Sequence, residues 1–235
     1  MDRIMLLSNN PNSAPLLTWL REQGFDTRLL EDPLTAGHLE KADPCLVVSY
    51  NYRHIVPEEI IRLLPGRMIN LHISLLPWNR GSDPNVWSII DRTPRGVTVH
   101  QLARGLDTGD VLLQQETPPA GDDDTLASTY EELNHAVTGL FREGLGDLLS
   151  GSCHPRPQEG PGSRHRRADL LSLLGGKLPD WSMTVRDLRK ITDRIRRKQE
   201  PASPLAPQRK PAGRCYNPQD GGAEGTPAGE SGGDR

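Results

Sequence analysis

Two separated stretches of the chain supply polar groups suited to acid–base chemistry. The first, residues 70–77 (Asn-Leu-His-Ile-Ser-Leu-Leu-Pro), follows a short apolar run that predicts a buried strand. In an extended chain the side chains of Asn70 and His72 leave the same face, so an amide and an imidazole can converge on one small volume. Open parallel sheets bind ligands at the carboxyl ends of their strands, so this strand end is a candidate site.

The second stretch, residues 105–110 (Gly-Leu-Asp-Thr-Gly-Asp), adds a carboxylate. Glycines on both sides of Asp107 allow a tight backbone path. If this loop returns to the sheet edge, Asp107 can face His72, fix its tautomer and favour the imidazolium form. The spacing alone leaves an alternative, in which Asn70 and Asp107 satisfy turns and His72 simply ends a strand.

The elements that must position these groups alternate along the chain. Strands are predicted at residues 3–8, 26–30, 46–50, 67–69, 96–102 and 110–116, and the second of them follows a helix end at Gln23 and Gly24. Helices are predicted to begin near Pro15, Pro57, Asn85 and Thr125, with Trp87 packed against the sheet. This alternation predicts an α/β, Rossmann-like fold whose open, mostly parallel sheet is flanked by helices. No glycine-rich dinucleotide or phosphate loop follows the first strand, which disfavours nucleotide cofactors.

Length and composition divide the chain further. Its 235 residues suit one domain of about 150 to 200 residues with extensions. We predict a catalytic domain at 1–150, a small C-terminal extension with a basic helix at 151–200, and a disordered tail at 201–235, which is rich in proline and glycine. A net charge of -3 and a pI near 6.2 give no indication of a nucleic-acid partner.

Targeting and metal signals are also missing from the sequence. No stretch approaches the roughly 18 to 20 apolar residues of a membrane span, and residues 1–3 lead straight into a strand, so we expect a cytoplasmic protein without a membrane partner. Cys45, Cys153 and Cys215 are too far apart for a disulfide framework or a Cys-x-x-Cys metal site. The acidic triplet at 122–124 is better explained by a helix start than by a metal, so we expect no metal.

Four segments of the chain resemble, in order and approximate spacing, the signature of the folate-dependent formyltransferases. They are residues 70–77, 80–84 (Arg-Gly-Ser-Asp-Pro), 96–100 (Gly-Val-Thr-Val-His) and 106–110 (Leu-Asp-Thr-Gly-Asp). A match in several parts is far more specific than any single part. The family includes glycinamide ribonucleotide transformylase, methionyl-tRNA formyltransferase and the nucleotide-sugar N-formyltransferases.

The resemblance implies an enzyme that moves a formyl group from the co-substrate 10-formyltetrahydrofolate to an amine. Asn70 and protonated His72 would donate hydrogen bonds to the tetrahedral intermediate, or His72 would accept the amine proton, and Asp107 would hold His72 in place. His100 would be a supporting hydrogen-bond partner. The implied folate contacts are Tyr52, Arg53, His54, Ile55, Gly105 and Leu106. The implied acceptor contacts are Asn9, Asn10, Trp78, Asn79, Arg80, Gly81, Ser82 and Asp83.

The acceptor also follows from resemblance. Residues 49–53 and 76–85 look most like nucleotide-sugar N-formyltransferases, which implies a nucleotide-linked amino sugar, a 4-amino-4,6-dideoxyhexose on dTDP. Methionyl-tRNA, glycinamide ribonucleotide and hydrolysis of the formyl donor are alternatives, and a homodimer is left open. A non-enzymatic binding module of the same fold would be marked by loss of Asn70, His72 or Asp107, and all three are present.

Overall fold

The computed structural model describes residues 2–199, so Cys215 and the tail predicted at 201–235 lie outside the described residues. The described strands are β1 (Arg3–Leu7), β2 (Asp26–Leu30), β3 (Leu46–Tyr50), β4 (Met68–His72), β5 (Arg80–Gly81), β6 (Gly96–Gln101), β7 (Val111–Glu116) and β8 (Arg164–His165). Six of these strands form one open sheet in the order β2-β1-β3-β4-β6-β7. The pairings from β2 to β4 are parallel and the two that involve β6 are antiparallel. The predicted Rossmann-like, mostly parallel α/β fold is confirmed.

Helices cover both faces of this sheet. They are α1 (Ala14–Glu22), α2 (Ala36–Ala42), α3 (Glu58–Ile61), α4 (Pro84–Asp91), α5 (Leu126–Ser150), α6 (Arg167–Leu173) and α7 (Val185–Gln199). Within residues 2–199, no helix is both long and apolar enough to cross a membrane. The sequence patterns did not predict α2, a short helix whose start is stabilised by reciprocal capping between Thr35 and His38. The helix that begins near Pro57 is also shorter than its apolar residues indicate, since Leu63 lies beyond it and is 54% exposed.

The core lies on both faces of the sheet, as expected for strands that are covered on each side. On one face, Leu16 and Leu20 of α1 and Phe141 of α5 pack on the sheet with fully buried side chains. On the other face, Leu39 of α2 and Leu64 pack on the sheet. Burying one such side chain contributes about 1.5 to 3 kcal/mol, so the two layers fix β4 firmly between its neighbours.

A third apolar cluster joins α4 to the C-terminal helices. Leu170 of α6 and Val185 and Leu188 of α7 are buried against α4 and the start of α5. Trp87 of α4 belongs to this cluster and stacks on the ring of His165, with the ring centroids 3.8 Å apart. The prediction that Trp87 packs on the central sheet is therefore wrong, because α4 turns its aromatic side chain toward the extension.

The acidic triplet precedes α5 as predicted, and Thr125 caps that helix. Arg189 of α7 donates a hydrogen bond to Asp122. Arg186 of the same helix forms ion pairs with Asp122 and Asp123. These arginines explain the first two acidic residues better than the helix dipole alone does.

Candidate active site

The strand register brings the predicted amide and imidazole to one place. β4 ends at His72, and its antiparallel partner β6 places His100 opposite Asn70. The loop between β6 and β7 then returns over this end of the sheet. Gly109 makes that path possible, since a Cβ there would lie 1.8 Å from the backbone oxygen of Gln101.

The three predicted catalytic side chains meet at this point. Asn70 Nδ2 donates to Asp107 Oδ1 at 3.3 Å, and His72 Nδ1 lies 3.8 Å from the same oxygen. Asp107 itself has a positive φ of 54°. An amide, an imidazole and a carboxylate therefore share one volume, although the His72–Asp107 distance exceeds that of a hydrogen bond.

His100 completes the group as a supporting partner. Its Nδ1 lies 2.8 Å from the backbone oxygen of Gln101, so this nitrogen carries the proton. The other nitrogen, Nε2, then accepts from Asn70 Nδ2 at 3.2 Å. Both hydrogens of the Asn70 amide thus have partners, His100 and Asp107, and these partners fix its orientation.

His72 lies between two oxygen atoms and is only 7% exposed. Its Nε2 is 3.3 Å from the backbone oxygen of Asn79, and its Nδ1 faces Asp107. Burial lowers the pKa of His72, and this effect exceeds the opposing effect of the Asp107 carboxylate. The Asp107 carboxylate favours the imidazolium form, as expected, but desolvation has the larger effect and the net pKa of His72 lies below its ordinary value.

Asp107 is ionised at neutral pH. Burial raises the pKa of this carboxyl group, but His72 and His100, together with the Gly81 amide, lower it by more, so the net pKa lies below its ordinary value. The Gly81 N–H donates to Asp107 Oδ2 at 2.9 Å. With the carboxylate only 9% exposed, the Gly81 amide and the Asn70 side chain replace water that the carboxylate loses on folding.

The predicted folate contacts follow β3 and precede Asp107. The Tyr52 hydroxyl donates to the backbone oxygen of Asp32 at 2.5 Å, and the rings of Tyr52 and His54 meet edge to face. Ile55 is 83% exposed, and Leu106 is also exposed. The remaining predicted contacts, Arg53 and Gly105, lie in the same two loops. Folate binding by these loops stays a prediction.

The first polar loop, residues 9–13, forms hydrogen bonds with residues that follow β2 and β3 and within its own turn. Asn9 donates to the Glu31 backbone oxygen at 2.7 Å and accepts from the Arg53 amide at 3.1 Å. Asn10 accepts from the Asn12 amide at 2.9 Å, which caps the first turn. Both side chains have structural partners, and their predicted contact with the acceptor stays a prediction.

The second polar loop, residues 77–83, contains buried and half-buried residues. Asn79 is 1% exposed, and its side chain bonds to Thr93 and Ser163. The side chain of Asn79 thus has structural partners, and its backbone oxygen faces His72. The predicted contact between Asn79 and the acceptor stays a prediction. The other predicted acceptor contacts of this loop are half-buried, and they are Trp78, Arg80, Gly81, Ser82 and Asp83.

One further segment contacts both the second polar loop and the loop that carries Asp107. Its sequence pattern indicates only irregular structure. We call residues 156–165 the wrapping segment. Its Gln158 donates to the backbone oxygens of Asp107 and Gly109, and its last two residues form β8, which pairs with β5. No sequence signal identified Gln158, because it lies in a run of proline, glycine and charged residues without periodicity.

The described part of the chain contains no candidate metal centre. Among residues 2–199, no group of three or more His, Cys, Asp or Glu side chains is arranged to hold a metal ion. The candidate site thus offers hydrogen-bond donors, a titratable ring and a carboxylate. Such a set can stabilise a developing oxyanion and move a proton.

Comparison with known proteins identifies relatives of this chain. Residues 5–143, more than half of the chain, match the family model described as formyl transferase. The methionyl-tRNA formyltransferase of Desulfotalea psychrophila is 34% identical over 149 residues, which are 63% of this chain and 45% of that protein. The chain thus spans about half the length of the curated relatives it matches.

Solved structures extend the likeness. The formyltransferase PseJ from Anoxybacillus kamchatkensis, in complex with UDP-4,6-dideoxy-4-formamido-L-AltNAc and tetrahydrofolate, is 33% identical with a TM-score of 0.73, and the match covers 81% of this chain and 99% of that one. A sugar N-formyltransferase from Shewanella sp FDAARGOS_354 is 26% identical with a TM-score of 0.66, over 81% of this chain and 87% of that one.

Proposed function

The chain belongs to the formyl transferase family, and we propose that it transfers a formyl group from 10-formyltetrahydrofolate to the amine of a nucleotide-linked amino sugar. One observation carries this choice. The match to PseJ covers 99% of a chain whose bound molecules are a formamido sugar nucleotide and tetrahydrofolate. We favour a 4-amino-4,6-dideoxyhexose as the acceptor, linked to dTDP or UDP.

The reaction replaces one carbon–nitrogen bond by another. The acceptor amine attacks the formyl carbon and forms a tetrahedral intermediate, whose oxygen carries negative charge. The bond from carbon to the folate nitrogen then breaks, the new amide keeps the formyl group, and the amine proton leaves. A donor aimed at such an oxyanion typically contributes about 3 kcal/mol to transition-state stability.

His72 suits the role of proton acceptor. Burial lowers its pKa, so the neutral ring predominates at neutral pH and can take the amine proton. Each neutral tautomer leaves one unprotonated nitrogen near an oxygen, of Asn79 or of Asp107. Protonation gives both oxygens a donor to face, which offsets part of the desolvation cost of the imidazolium. The imidazolium can then return its proton to the folate nitrogen.

Asn70 suits the role of oxyanion donor, with one condition. Its two amide hydrogens face His100 and Asp107. Donation to the intermediate requires that the amide release one of these partners. At 3.3 Å the contact with the Asp107 carboxylate is long for a hydrogen bond, so a shorter contact with the oxygen of the intermediate can replace it.

A second acceptor class rests on a different observation. The curated relatives that match at about 34% identity are methionyl-tRNA formyltransferases, although the match covers about half of each protein. Methionyl-tRNA is therefore the alternative acceptor. Against it stands the net charge of -3, since binding to a polyanion usually relies on a clear excess of basic residues.

A competition among acceptors tests the proposal. The full chain is incubated with 10-formyltetrahydrofolate and a panel of UDP- and dTDP-linked 4-amino and 3-amino sugars, with methionyl-tRNA and glycinamide ribonucleotide in parallel. We expect mass spectrometry to find a formyl group on a 4-amino sugar. Product only on methionyl-tRNA or glycinamide ribonucleotide would overturn the acceptor, and formate release without any product would instead indicate a hydrolase.

A further inference from the structure

The wrapping segment, residues 156–165, contacts both loops of the candidate site although it lies beyond the residues that match the family model. Ser163 donates from its backbone N–H to the Pro77 oxygen at 3.1 Å and accepts from the Arg80 amide at 3.0 Å. Gly162 fits against the same loop, since a Cβ there would lie 2.1 Å from the Pro77 oxygen. The second polar loop is therefore fixed along its length by this segment.

Gln158 is the member of this segment that reaches the Asp107 loop. Its Nε2 donates to the backbone oxygen of Asp107 at 2.9 Å and to the backbone oxygen of Gly109 at 2.8 Å. Its Oε1 accepts from Arg80 Nε at 2.9 Å. All three polar positions of the Gln158 side chain thus bind parts of the site, and one planar amide joins two loops that are far apart in sequence.

The Asp107 loop needs such a support. Asp107 has a positive φ, a conformation that side-chain-bearing residues adopt at a cost unless the surroundings hold it. The Gly81 amide fixes one carboxylate oxygen, and Gln158 fixes the backbone oxygen of the same residue. Asp107 is therefore held at both ends, and its direction toward His72 and Asn70 depends on both contacts.

We propose that Gln158 is a positioning residue, which sets the distance between the Asp107 carboxylate and the His72 imidazole. This inference rests on the proposed transfer reaction for its effect on turnover. Loss of the two hydrogen bonds that Gln158 Nε2 donates lets the Asp107 loop relax away from His72. A displacement of the order of 1 Å is enough to slow a reaction that depends on aligned groups.

The test variant is Gln158→Met, which keeps the length of the side chain and removes its hydrogen bonds. We expect kcat to fall about tenfold while the KM values for folate and acceptor change less than about twofold. Gln158→Asn keeps an amide that is one carbon too short to reach both oxygens, and it serves as the second variant if Gln158→Met does not fold.

A readout without turnover separates this inference from the proposed function. In protein with ¹⁵N-labelled histidine, NMR titration reports the pKa of His72, which the Asp107 carboxylate raises and which burial and the neighbouring His100 lower. Gln158→Met should lower this pKa in the same direction as Asp107→Asn, but by less. In the Asp107→Asn background, Gln158→Met should have little further effect on the pKa or on kcat.

The matched control is Gln114→Met. Gln114 of β7 is also half-buried and donates to the Leu76 oxygen at 2.8 Å and to Thr98 Oγ1 at 3.0 Å, away from Asp107. The Gln114→Met variant should have a lower melting temperature and an unchanged His72 pKa. A Gln158→Met protein with a lower melting temperature and an unmoved His72 pKa would overturn the positioning role. Absence of transfer to any acceptor would overturn the proposed function alone, because the titration still measures the Gln158 effect.

Discussion

The Nδ1 atom of His72 lies 3.8 Å from Oδ1 of Asp107, and both side chains are less than 10% exposed. At this distance the carboxylate acts on the ring through its field rather than through a direct hydrogen bond. Burial pushes the His72 pKa down and the carboxylate pushes it up, with burial the larger effect. The neutral ring therefore predominates at neutral pH, and the carboxylate offsets only part of the cost of charging the ring.

Replacing His72 by alanine should abolish most turnover without unfolding the protein. Loss of a positioned acid–base group costs about a hundredfold or more in kcat. The fold should persist, because the β4 strand is held by β3 and β6 through its backbone. Steady-state kinetics together with a circular dichroism melt test this. A folded His72→Ala protein with near-normal kcat would remove His72 from the mechanism.

Asp107→Asn should shift the pH dependence of the reaction. The variant removes the charge that raises the His72 pKa, so that pKa should fall further below its ordinary value. The acidic limb of kcat/KM should therefore move to lower pH, while the maximal rate falls because the imidazolium loses its carboxylate. An unchanged pH profile would show that Asp107 does not act through His72.

The stability of the protein should also depend on His72. Its folded-state pKa lies below its unfolded-state value, so the unfolded chain binds more protons at acidic pH. Stability should therefore be fully present above the unfolded pKa, near 6.5, and should fall as the pH drops below it. His72→Gln should weaken this fall between about pH 7 and 5 in denaturant titrations. Equal slopes for both proteins would contradict the buried, neutral ring.

The close approach at Gly109 should make that position intolerant of a side chain. A Cβ there would meet the Gln101 oxygen at 1.8 Å, so Gly109→Ala must displace the loop that carries Asp107. We expect kcat to fall about tenfold or more through this misalignment. The control is Gly146→Ala in α5, where nothing lies within 4 Å of the new Cβ and the helix should gain about 0.5 to 1 kcal/mol. Normal turnover in Gly109→Ala would show that the loop path is not critical.

The third apolar cluster should make the C-terminal helices part of the stable fold. Leu188 of α7 is fully buried against α4, so Leu188→Ala should reduce the free energy of unfolding by about 2 to 5 kcal/mol. Ile191 on the same helix is exposed, and Ile191→Ala should change it by less than about 0.5 kcal/mol. Similar small effects for both variants in urea titrations would indicate that α7 does not pack as described.

Local sequence signals were sufficient for much of the sheet. The strands at 26–30 and 46–50 have the bounds predicted, because the first follows the helix end at Gln23 and Gly24 and the second is an apolar run. Asn70 and His72 could be grouped from spacing because their side chains leave the same face of one strand. Spacing left the place of Asp107 open, and the resemblance to the formyltransferase signature joined it to the other two. The helix α2 was not predicted, because its seven residues include glycine and show little apolar periodicity.

The contacts that surround the site could not be predicted in this way. Gln158 and Ser163 act through backbone atoms of loops that are about 50 to 80 residues away in the chain. The Asn79 side chain looked available in a polar loop, and only the fold reveals its burial. The resting charge of His72 depends on how far desolvation exceeds the effect of one carboxylate, which requires the three-dimensional arrangement.

The most direct measurement follows the formyl carbon itself. The full chain is given 10-formyltetrahydrofolate labelled with ¹³C in the formyl group, together with a nucleotide-linked 4-amino sugar, and the products are weighed by mass spectrometry. We predict that the label appears on the sugar nitrogen, and that His72→Ala loses this product while the protein remains folded. Label found only in free formate, with the amino sugar unchanged in mass, would contradict the proposed transfer.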